Sequence, residues 1–188
     1  MLEGQLIELR SVVEQDLEDV FKWNNDEELV TLASGSDKPF QINNSMVGLK
    51  HYLEKNTLEN DLVEDGQFFS IYTKDTGCHI GKCDYRDINW IVRSATIGIM
   101  IGERDHWGTG HGKDAIKVLL NYLFNTLNLN RVQIDTWSGN QRAIRFFENA
   151  GFVKEGEFRE GEYIDGRFYN TIIMSILKND YIADQKKN

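Results

Sequence analysis

Apolar positions change their spacing along this chain, and the spacing predicts where helices and strands lie. In Glu14–Trp23, Leu17, Val20 and Phe21 fall on one helical face, whereas later segments alternate or are apolar throughout, as strands do. The first third predicts a strand over Leu6–Leu9, a helix over Glu14–Trp23, a loop over Ala33–Asn44, a helix over 46–56 and a loop over 57–66.

The remainder of the chain alternates between extended and helical patterns. It predicts strands over Phe68–Thr73, Cys78–Tyr85 and Ala95–Ile101, a helical stripe from Ala115 to Leu127, a strand over Arg131–Trp137, a helix over Gln141–Ala150 and strands over Phe152–Phe158 and Asn170–Leu177. The segment Asp87–Arg93 interrupts the strands, and Asp165-Gly166 is a turn signal. This order favours a mixed α/β sheet with helices packed against it.

Three glycines, Gly108, Gly110 and Gly112, alternate immediately before the helical stripe. Glycine lets the backbone approach a ligand closely, and a helix N-terminus adds unpaired amides and partial positive charge, so the segment suits a phosphate or pyrophosphate. It is not a Walker A loop, because Asp114 follows Gly112-Lys113, and the dinucleotide fingerprint counted from Gly108 ends on Lys113 instead of glycine. A glycine-rich turn that only caps the helix stays as the alternative.

Composition indicates an ordinary globular protein. The chain has 188 residues, 40% of them hydrophobic and 27% charged, and no apolar run approaches the roughly 20 residues that span a bilayer. Its first residues lack a basic region followed by an apolar stretch, which predicts no signal peptide. Cys78 and Cys83 match no metal or redox spacing and are predicted to be reduced, partly buried thiols, so a cytoplasmic protein is expected.

The formal net charge is −9. Nucleic-acid binding requires lysine and arginine to neutralise phosphates, so this charge argues against a nucleic-acid partner. It favours a cationic substrate, such as a polyamine or a basic peptide, through electrostatic steering. Solubility alone explains an acidic surface equally well, because no acidic run is localised enough to mark a site.

Several motifs in order resemble the GNAT acetyltransferases. They are Ile97–Gly102, Trp107–Gly112, Asn140–Ala143, and Phe147 with Gly151-Phe152. The ending Glu162–Asn170 is similar to the terminal hairpin of the branch that includes ribosomal-protein N-terminal acetyltransferases and spermidine acetyltransferases. The resemblance covers residues 5–181 and implies one domain over 1–181, with a mostly antiparallel, splayed central sheet flanked by helices and a frayed tail over 182–188.

The resemblance implies acetyl-coenzyme A as the acetyl donor and no metal. The amides from Gly108 to Lys113 would hold the pyrophosphate, the strand Ile99–Ile101 would pair with the pantetheine arm, and Asn140 would both cap a helix and reach the cofactor. Trp107 stands where the family usually has glutamine or arginine. The implied cofactor-binding residues are Ile99, Met100, Ile101, Trp107, Gly108, Thr109, Gly110, His111, Gly112, Lys113, Asn140, Ala143, Phe146 and Phe147.

The implied reaction is direct attack of an amine on the thioester in a ternary complex. The amide of Met100 would polarise the thioester carbonyl, and Glu162 is the first candidate for the base, followed by Asp84 and Glu27. Phe147 stands where many relatives have a tyrosine acid. Substitutes for that acid are Tyr163, Tyr169, Ser138 or a water molecule, or the thiolate leaves unassisted.

Three functions remain open at the level of sequence. The first is acetylation of a primary amine on a small molecule or a protein N-terminus; the narrower second is polyamine acetylation. A coenzyme A-binding module without catalysis is the third, because the usual tyrosine is missing. Residues 20–65 would form the acceptor wall, lined by Trp23, Asn25, Glu27 and Glu28, and relatives make a homodimer a reasonable expectation.

Overall fold

The computed structural model describes residues 2–41, 45–51 and 66–185. Its N-terminal part is mainly helical after an opening hairpin. The elements are β1 (Leu2–Glu3), β2 (Ile7–Ser11), α1 (Asp16–Asn24), α2 (Glu27–Ser34), a 3-10 turn (Gly35–Asp37), α3 (Lys38–Gln41) and α4 (46–51).

The following part carries most of the sheet. Its elements are β3 (Gly66–Thr73), β4 (His79–Asn89), β5 (Ser94–Ile101), a 3-10 turn (Arg104–His106), α5 (His111–Asn121) with a π-helical continuation (Tyr122–Thr126), β6 (Arg131–Trp137), α6 (Gln141–Asn149), β7 (Val153–Ile164), β8 (Arg167–Leu177) and α7 (Lys178–Gln185).

The described strands form one eight-stranded sheet in the order β1-β2-β3-β4-β5-β6-β8-β7. Within it β5 and β6 pair in parallel, and every other neighbouring pair is antiparallel. The α/β class and the mostly antiparallel sheet flanked by helices are therefore confirmed.

Helices cover both faces of this sheet. One face packs on α5 and its continuation, where Leu119, Leu123 and Phe124 are fully buried. The opposite face packs on a second cluster formed by α1, α2 and α4, which includes Trp23 and reaches Met100 of β5. Each large side chain buried in this way contributes about 1.5–3 kcal/mol to folding.

The predicted loop over Ala33–Asn44 is wrong for its first nine residues. Asp26 accepts a hydrogen bond from the Leu29 amide (3.1 Å) and starts α2, which runs through Ser34. Pro39 then lies in the first turn of α3, where its missing amide is not needed. The acidic N-cap was visible in the sequence, but the short apolar stripe after it was not recognised as helical.

The predicted helix over 46–56 is confirmed for 46–51. Its remainder, positions 42–44 and all but the last residue of the predicted loop over 57–66 lie outside the described residues, and that last residue, Gly66, begins β3.

The terminal hairpin is longer than its hydrophobic pattern predicts. Strand β7 continues through a bulge near Glu160 (φ 54°) to Ile164, and β8 begins at Arg167, so the turn at Asp165-Gly166 is confirmed. Most of the added strand is exposed on both faces and carries no apolar alternation. Strand β4 similarly continues past Tyr85 to Asn89, with a register shift where Asp87 has φ 54°.

The two ends of the chain carry elements that the sequence did not predict. Strand β1 extends the sheet at its first edge, and α7 covers the segment up to Gln185, with Tyr181 8% exposed against Phe124. The two cysteines are free, as predicted, but Cys78 is exposed and Cys83 buried, instead of both being partly buried. Among the described residues, no helix is long and apolar enough to cross a membrane.

Candidate active site

The parallel pair β5–β6 opens into a wedge. The two strands pair only where Ser94–Thr96 lie beside Arg131–Gln133. From Ile97 of β5 and Ile134 of β6 onward the described strands make no pairs with each other, while β5 keeps its pairing with β4 as far as Ile101. We call this wedge the β5–β6 gap; it leaves one edge of β5 without a partner strand.

The pairing register decides which amides face the gap. Gly102 donates to the Ile80 carbonyl oxygen (2.9 Å), and Met100 lies opposite Lys82, so the even-numbered residues of β5 direct their N–H and C=O groups toward β4. The Met100 carbonyl oxygen is accordingly so close to Gly81 that a Cβ there would clash with it.

This register corrects the expectation for Met100. Its amide points at β4, and Ile99 and Ile101 present their backbone groups to the gap. The Met100 side chain packs on the α1–α2 cluster, whereas those of Ile99 and Ile101 pack on the opposite core.

The glycine loop leads from the gap into α5. Gly108 (φ 74°) and Gly110 (φ 96°) are left-handed, a conformation that only glycine adopts readily, and α5 begins at His111. No described residue accepts a hydrogen bond from the amides of Gly108 to Lys113. At Gly112 a Cβ would lie 3.5 Å from both Ile101 and Phe146, so the start of α5 lies directly beside the gap.

Two histidines flank the loop. The rings of His106 and His111 pack edge to face, with their centroids 4.7 Å apart. His111 Nδ1 lies 2.7 Å from the Thr109 hydroxyl oxygen. Burial, with a smaller contribution from His106, lowers the pKa of His111. Six unpaired amides, a helix N-terminus and two imidazoles together form a site suited to an anion.

Asn140 begins α6 on the other side of the gap. Its Oδ1 accepts from the Ala143 amide (3.1 Å), which is the predicted cap. Phe146 is partly buried beside Gly112, but Phe147 is only 4% exposed and packs on Phe152 in the core. Phe147 therefore offers almost no surface to a ligand, which departs from the expectation for that residue.

Trp107 connects the two sides of the gap. Its indole N–H donates to the carbonyl oxygen of Ile101 (2.8 Å), and the guanidinium of Arg142 on α6 stacks 3.6 Å from the ring centroid. Arg104 lies on the same indole at 5.1 Å and pairs with Asp26. The sequence did not identify Arg142; only the fold brings it beside Trp107.

Charged groups of β4 and β6 lie on the α1–α2 side of the gap. Asp84 lies opposite Gly98, where a Cβ would clash with its carboxylate, and its side chain is 17% exposed. Burial raises the pKa of Asp84, and the adjacent Arg86 opposes that rise. Asp135 of β6 interacts with the same guanidinium, and desolvation raises its pKa as well.

Glu162 is held by hydrogen bonds from three donors. One carboxylate oxygen accepts from the Ser36 amide (2.9 Å) and hydroxyl (2.6 Å), and the other accepts from the Thr171 hydroxyl (3.1 Å). The Ser36 hydroxyl in turn accepts from the Tyr163 amide (2.7 Å). These bonds fasten the β7–β8 hairpin to the turn after α2, a structural role that the sequence did not predict.

The substitutes for the missing tyrosine acid are dispersed. Tyr163 is 56% exposed and packs on Phe168, and Tyr169 packs edge to face on Trp137 (5.0 Å). The Ser138 hydroxyl accepts from the Asn170 amide (3.1 Å).

A pocket of about 470 Å³ opens between α2 and the end of β6, and we call it the α2 pocket. It is lined by Glu27, Glu28, Thr31, Leu32, Lys38, Trp137 and Asp165. Lys38 bridges Glu27 (2.9 Å) and Asp165 (3.1 Å), and Glu28 pairs with Arg104 beside the pocket (2.6 Å). The lining itself carries three carboxylates and one lysine.

Of the four residues predicted to line the acceptor wall, Glu27 and Glu28 line this pocket, whereas Trp23 and Asn25 do not. Trp23 is buried, and its indole N–H donates a hydrogen bond to the Glu103 carboxylate (2.9 Å). The Asn25 side-chain amide donates to the Phe21 carbonyl oxygen. Positions 42–44 and 52–65 of the wall lie outside the described residues. Within the described ranges, no cluster of histidine, cysteine and acidic side chains is arranged to hold a metal ion.

A profile of the acetyltransferase (GNAT) domain matches residues 7–153 of the chain. The chain belongs to the GNAT acetyltransferases. It is therefore an N-acetyltransferase that uses acetyl-coenzyme A, and the predicted family is confirmed.

Relatives of this GNAT protein cover from about two thirds to nearly all of its length. The spermidine N(1)-acetyltransferase of Vibrio cholerae is 29% identical over 175 residues, which are 93% of this chain and 94% of that protein. The N-acetyltransferase p20 of Bacillus licheniformis is 37% identical over 124 residues, 65% of this chain and 69% of that protein. The crystal structure of the Vibrio cholerae spermidine N-acetyltransferase with CoA and spermine has a TM-score of 0.81 at 27% identity, covering 94% of this chain and 98% of that one.

The geometry of the GNAT site fits its acetyl donor. The amides of the glycine loop suit a pyrophosphate. The edge of β5 at Ile99 and Ile101, which has no partner strand although the Ile101 carbonyl oxygen accepts from Trp107, suits an extended amide-containing arm that adds to the sheet like a strand. Bound acetyl-coenzyme A supplies a thioester whose acetyl carbon accepts an amine.

Proposed function

We propose that this enzyme acetylates a small acceptor that carries a primary amine and at least one further positive charge. The observation that carries the proposal is the α2 pocket, where the three carboxylates of Glu27, Glu28 and Asp165 are paired with only two cations, Lys38 and Arg104. Trp137, which lines the pocket, is also the last residue of the β6 side of the gap. A polycation bound there would extend one amine toward the gap while the carboxylates hold its other charges.

Two further observations support a polyamine-like acceptor. The net charge of −9 attracts cations to the surface, and relatives of similar length are named spermidine acetyltransferases. A protein N-terminus carries a single α-amine and gains less from several carboxylates, which makes it the second choice.

Proton removal from the acceptor is the task of Asp84 in this proposal. An amine with a pKa of about 8–10 is protonated at neutral pH and must lose a proton before it attacks. Asp84 lies on β4 opposite Gly98, and burial moves its pKa toward the working pH. Glu162, the first candidate from the sequence, already accepts three hydrogen bonds, so we rank it second.

The backbone stabilises the charge that develops on the substrate carbonyl. The Ile99 amide faces the gap closer to its paired end than the Ile101 amide does. We assign to Ile99 the role first expected of Met100, which is to polarise the thioester carbonyl. The loop amides anchor the opposite end of the donor, and the unpaired edge of β5 between them keeps it extended. Departure of the thiolate needs little help, since thiol pKa values are near about 8.5.

The remaining expectations belong to the same proposal. The protein is a single domain over 1–181, works in the cytoplasm as a homodimer and binds neither nucleic acid nor membrane. Light scattering of the purified protein measures its mass in solution, and a monomeric mass contradicts the homodimer.

The test of the acceptor is a panel assayed by thiol release: spermidine, a monoamine of similar length and a peptide with a free N-terminus. Spermidine is expected to give the highest kcat/KM, and Glu28→Gln is expected to raise its KM about three- to tenfold while leaving the monoamine unchanged. Glu148→Gln, exposed on α6, is the matched control. Equal kcat/KM for all three acceptors would contradict the proposal.

A further inference from the structure

Lys82 is a lysine that the acetyl-transfer mechanism does not use, although it lies beside the site. It is directly opposite Met100 in the β4–β5 register, and its neighbour on the same face of β4 is Asp84. Side chains opposite each other on antiparallel strands have Cβ atoms about 4.5–5.5 Å apart. The flexible four-carbon stem of Lys82 can therefore carry its amine along the backbone of β5 at the gap.

The surroundings of Lys82 favour a neutral amine. The side chain is partly buried, and its Nζ donates to the Asn24 Oδ1 at 3.4 Å under the end of α1. No carboxylate of a described residue forms an ion pair with Lys82. Asp84 contributes only a longer-range electrostatic attraction. Burial lowers the pKa of Lys82. An amine of this kind is a nucleophile, whereas an exposed lysine is almost entirely protonated.

We propose that Lys82 is acetylated by the acetyl donor bound in the protein's own β5–β6 gap. The lone pair of the neutral Nζ forms a bond to the acetyl carbonyl carbon, and the carbon–sulfur bond breaks. Sulfur leaves as a thiolate and takes up the proton that nitrogen releases, so the products are an ε-N-acetyl-lysine at position 82 and free coenzyme A. This inference rests on the donor occupying the gap, but not on which acceptor the enzyme uses.

Peptide mapping tests the modification directly. The protein is incubated with acetyl-coenzyme A and no acceptor, digested with trypsin and analysed by mass spectrometry. Unmodified Lys82 ends a peptide that begins at Asp75, and acetyl-Lys82 blocks that cleavage, so the peptide runs to Arg86 and carries one added acetyl group. Lys74, a partly exposed lysine eight residues earlier, reports spontaneous acetylation in the same digest.

The acetylated fraction of Lys82 is expected to exceed that of Lys74 at least about tenfold, because the bound donor raises the effective concentration of the thioester beside Lys82. The rate constant should not change when the protein is diluted, because donor and acceptor are in one molecule. Lys82→Arg should remove this acetyl group and Lys74→Arg, the matched control, should leave it. Gly110→Val, which disturbs the loop that would hold the donor, should reduce the acetylated fraction of Lys82 to that of Lys74.

Turnover of an added amine, measured in the same preparation, separates the possible failures. An enzyme that turns over an amine but shows Lys82 acetylated no more than Lys74 overturns self-acetylation alone. A protein that shows neither turnover nor acetyl-Lys82 overturns the donor site in the gap as well. Both results come from the wild-type protein and do not depend on a variant that folds.

Discussion

The side-chain amide of Asn140 donates a hydrogen bond to the carbonyl oxygen of Leu32 at 2.8 Å. The same side chain caps α6 through its Oδ1, and the residue is only 6% exposed. One asparagine therefore starts the helix on one side of the β5–β6 gap and fastens it to α2, which lines the α2 pocket.

Asn140→Ala should lower the free energy of unfolding by about 2–3 kcal/mol, because a cap is lost and a buried carbonyl loses its donor. Asn140→Asp keeps the oxygen that caps α6 but loses the N–H donor to Leu32. Its free energy of unfolding should lie between those of the wild type and Asn140→Ala. Urea denaturation measures the free energy of unfolding of the wild type and both variants. Asn125→Ala, an exposed helical asparagine, is the control and should change stability by less than about 0.5 kcal/mol. Equal losses for Asn140→Ala and Asn125→Ala would contradict the double role.

Gly110→Val should weaken coenzyme A binding at least about tenfold. A β-branched residue resists the left-handed conformation at φ 96°, so the amides of the loop lose their arrangement. Titration calorimetry with coenzyme A provides the affinity. Gly166→Val carries the same kind of strain at φ 83° in the β7–β8 turn, where a Cβ meets no atom within 4 Å, and should bind coenzyme A as the wild type does. A folded Gly110→Val protein with wild-type affinity would show that the loop does not hold the pyrophosphate.

Asp84→Asn should lower kcat about 10²- to 10⁴-fold, because an amide cannot accept the proton of the acceptor. Burial raises the pKa of Asp84, so wild-type kcat/KM should fall as pH drops through that value, and the variant should lose this acidic limb. Asp87→Asn, an exposed neighbour that also faces Arg86, is the control. If Asp84→Asn keeps both rate and pH profile, Asp84 is not the base.

Glu162→Gln tests the candidate that the sequence ranked first. We expect about 1–2 kcal/mol lower stability, because Ser36 loses a charged acceptor, with kcat and its pH profile close to wild type. Thermal unfolding and a pH-rate profile on the same preparation separate these effects. A large loss of kcat at unchanged stability would instead return the role of base to Glu162.

Acid stability depends on Glu155 of β7. Hydrogen bonds from Arg131 and Ser175 lower the pKa of Glu155 from 4.5 to about 2. Because the folded-state value lies below the unfolded one, the contribution to stability is complete above pH 4.5 and is lost as the pH falls toward 2. The side chain is 41% exposed, so solvent screening limits the effect to about 1 kcal/mol.

Urea titrations at pH 6 and pH 3 test this contribution. Glu155→Gln should be less stable than wild type at pH 6, and the difference should shrink at pH 3, with Glu148→Gln as the exposed control. An equal difference at both pH values would show that the interaction is not electrostatic.

Local signals predicted much of the site. The glycine loop, the cap at Asn140 and the stripe of α5 each depend on neighbouring residues in the chain, and the structure has them where the sequence placed them. The sequence did not predict α2, although Asp26 is a typical N-cap residue, because a two-turn helix gives only a short hydrophobic pattern. The extension of β7 was missed since most of its residues are exposed and it carries no apolar alternation.

Other features depend on residues that are distant in sequence. Ser36 and Glu162 are 126 positions apart, and only the approach of the hairpin to the turn after α2 makes Glu162 a tether. Arg142 meets Trp107 in the same way, because two strands diverge and the elements after them converge.

The sequence alone determined the family, the acetyl donor and the position of the glycine loop, because those features are encoded by glycine spacing and by motifs along one stretch of chain. The tertiary structure decided which amides of β5 face the gap, since only pairing with β4 fixes the direction of each N–H. It also decided the environment of Asp84 and Lys82, because burial is a property of the residues that pack around a side chain.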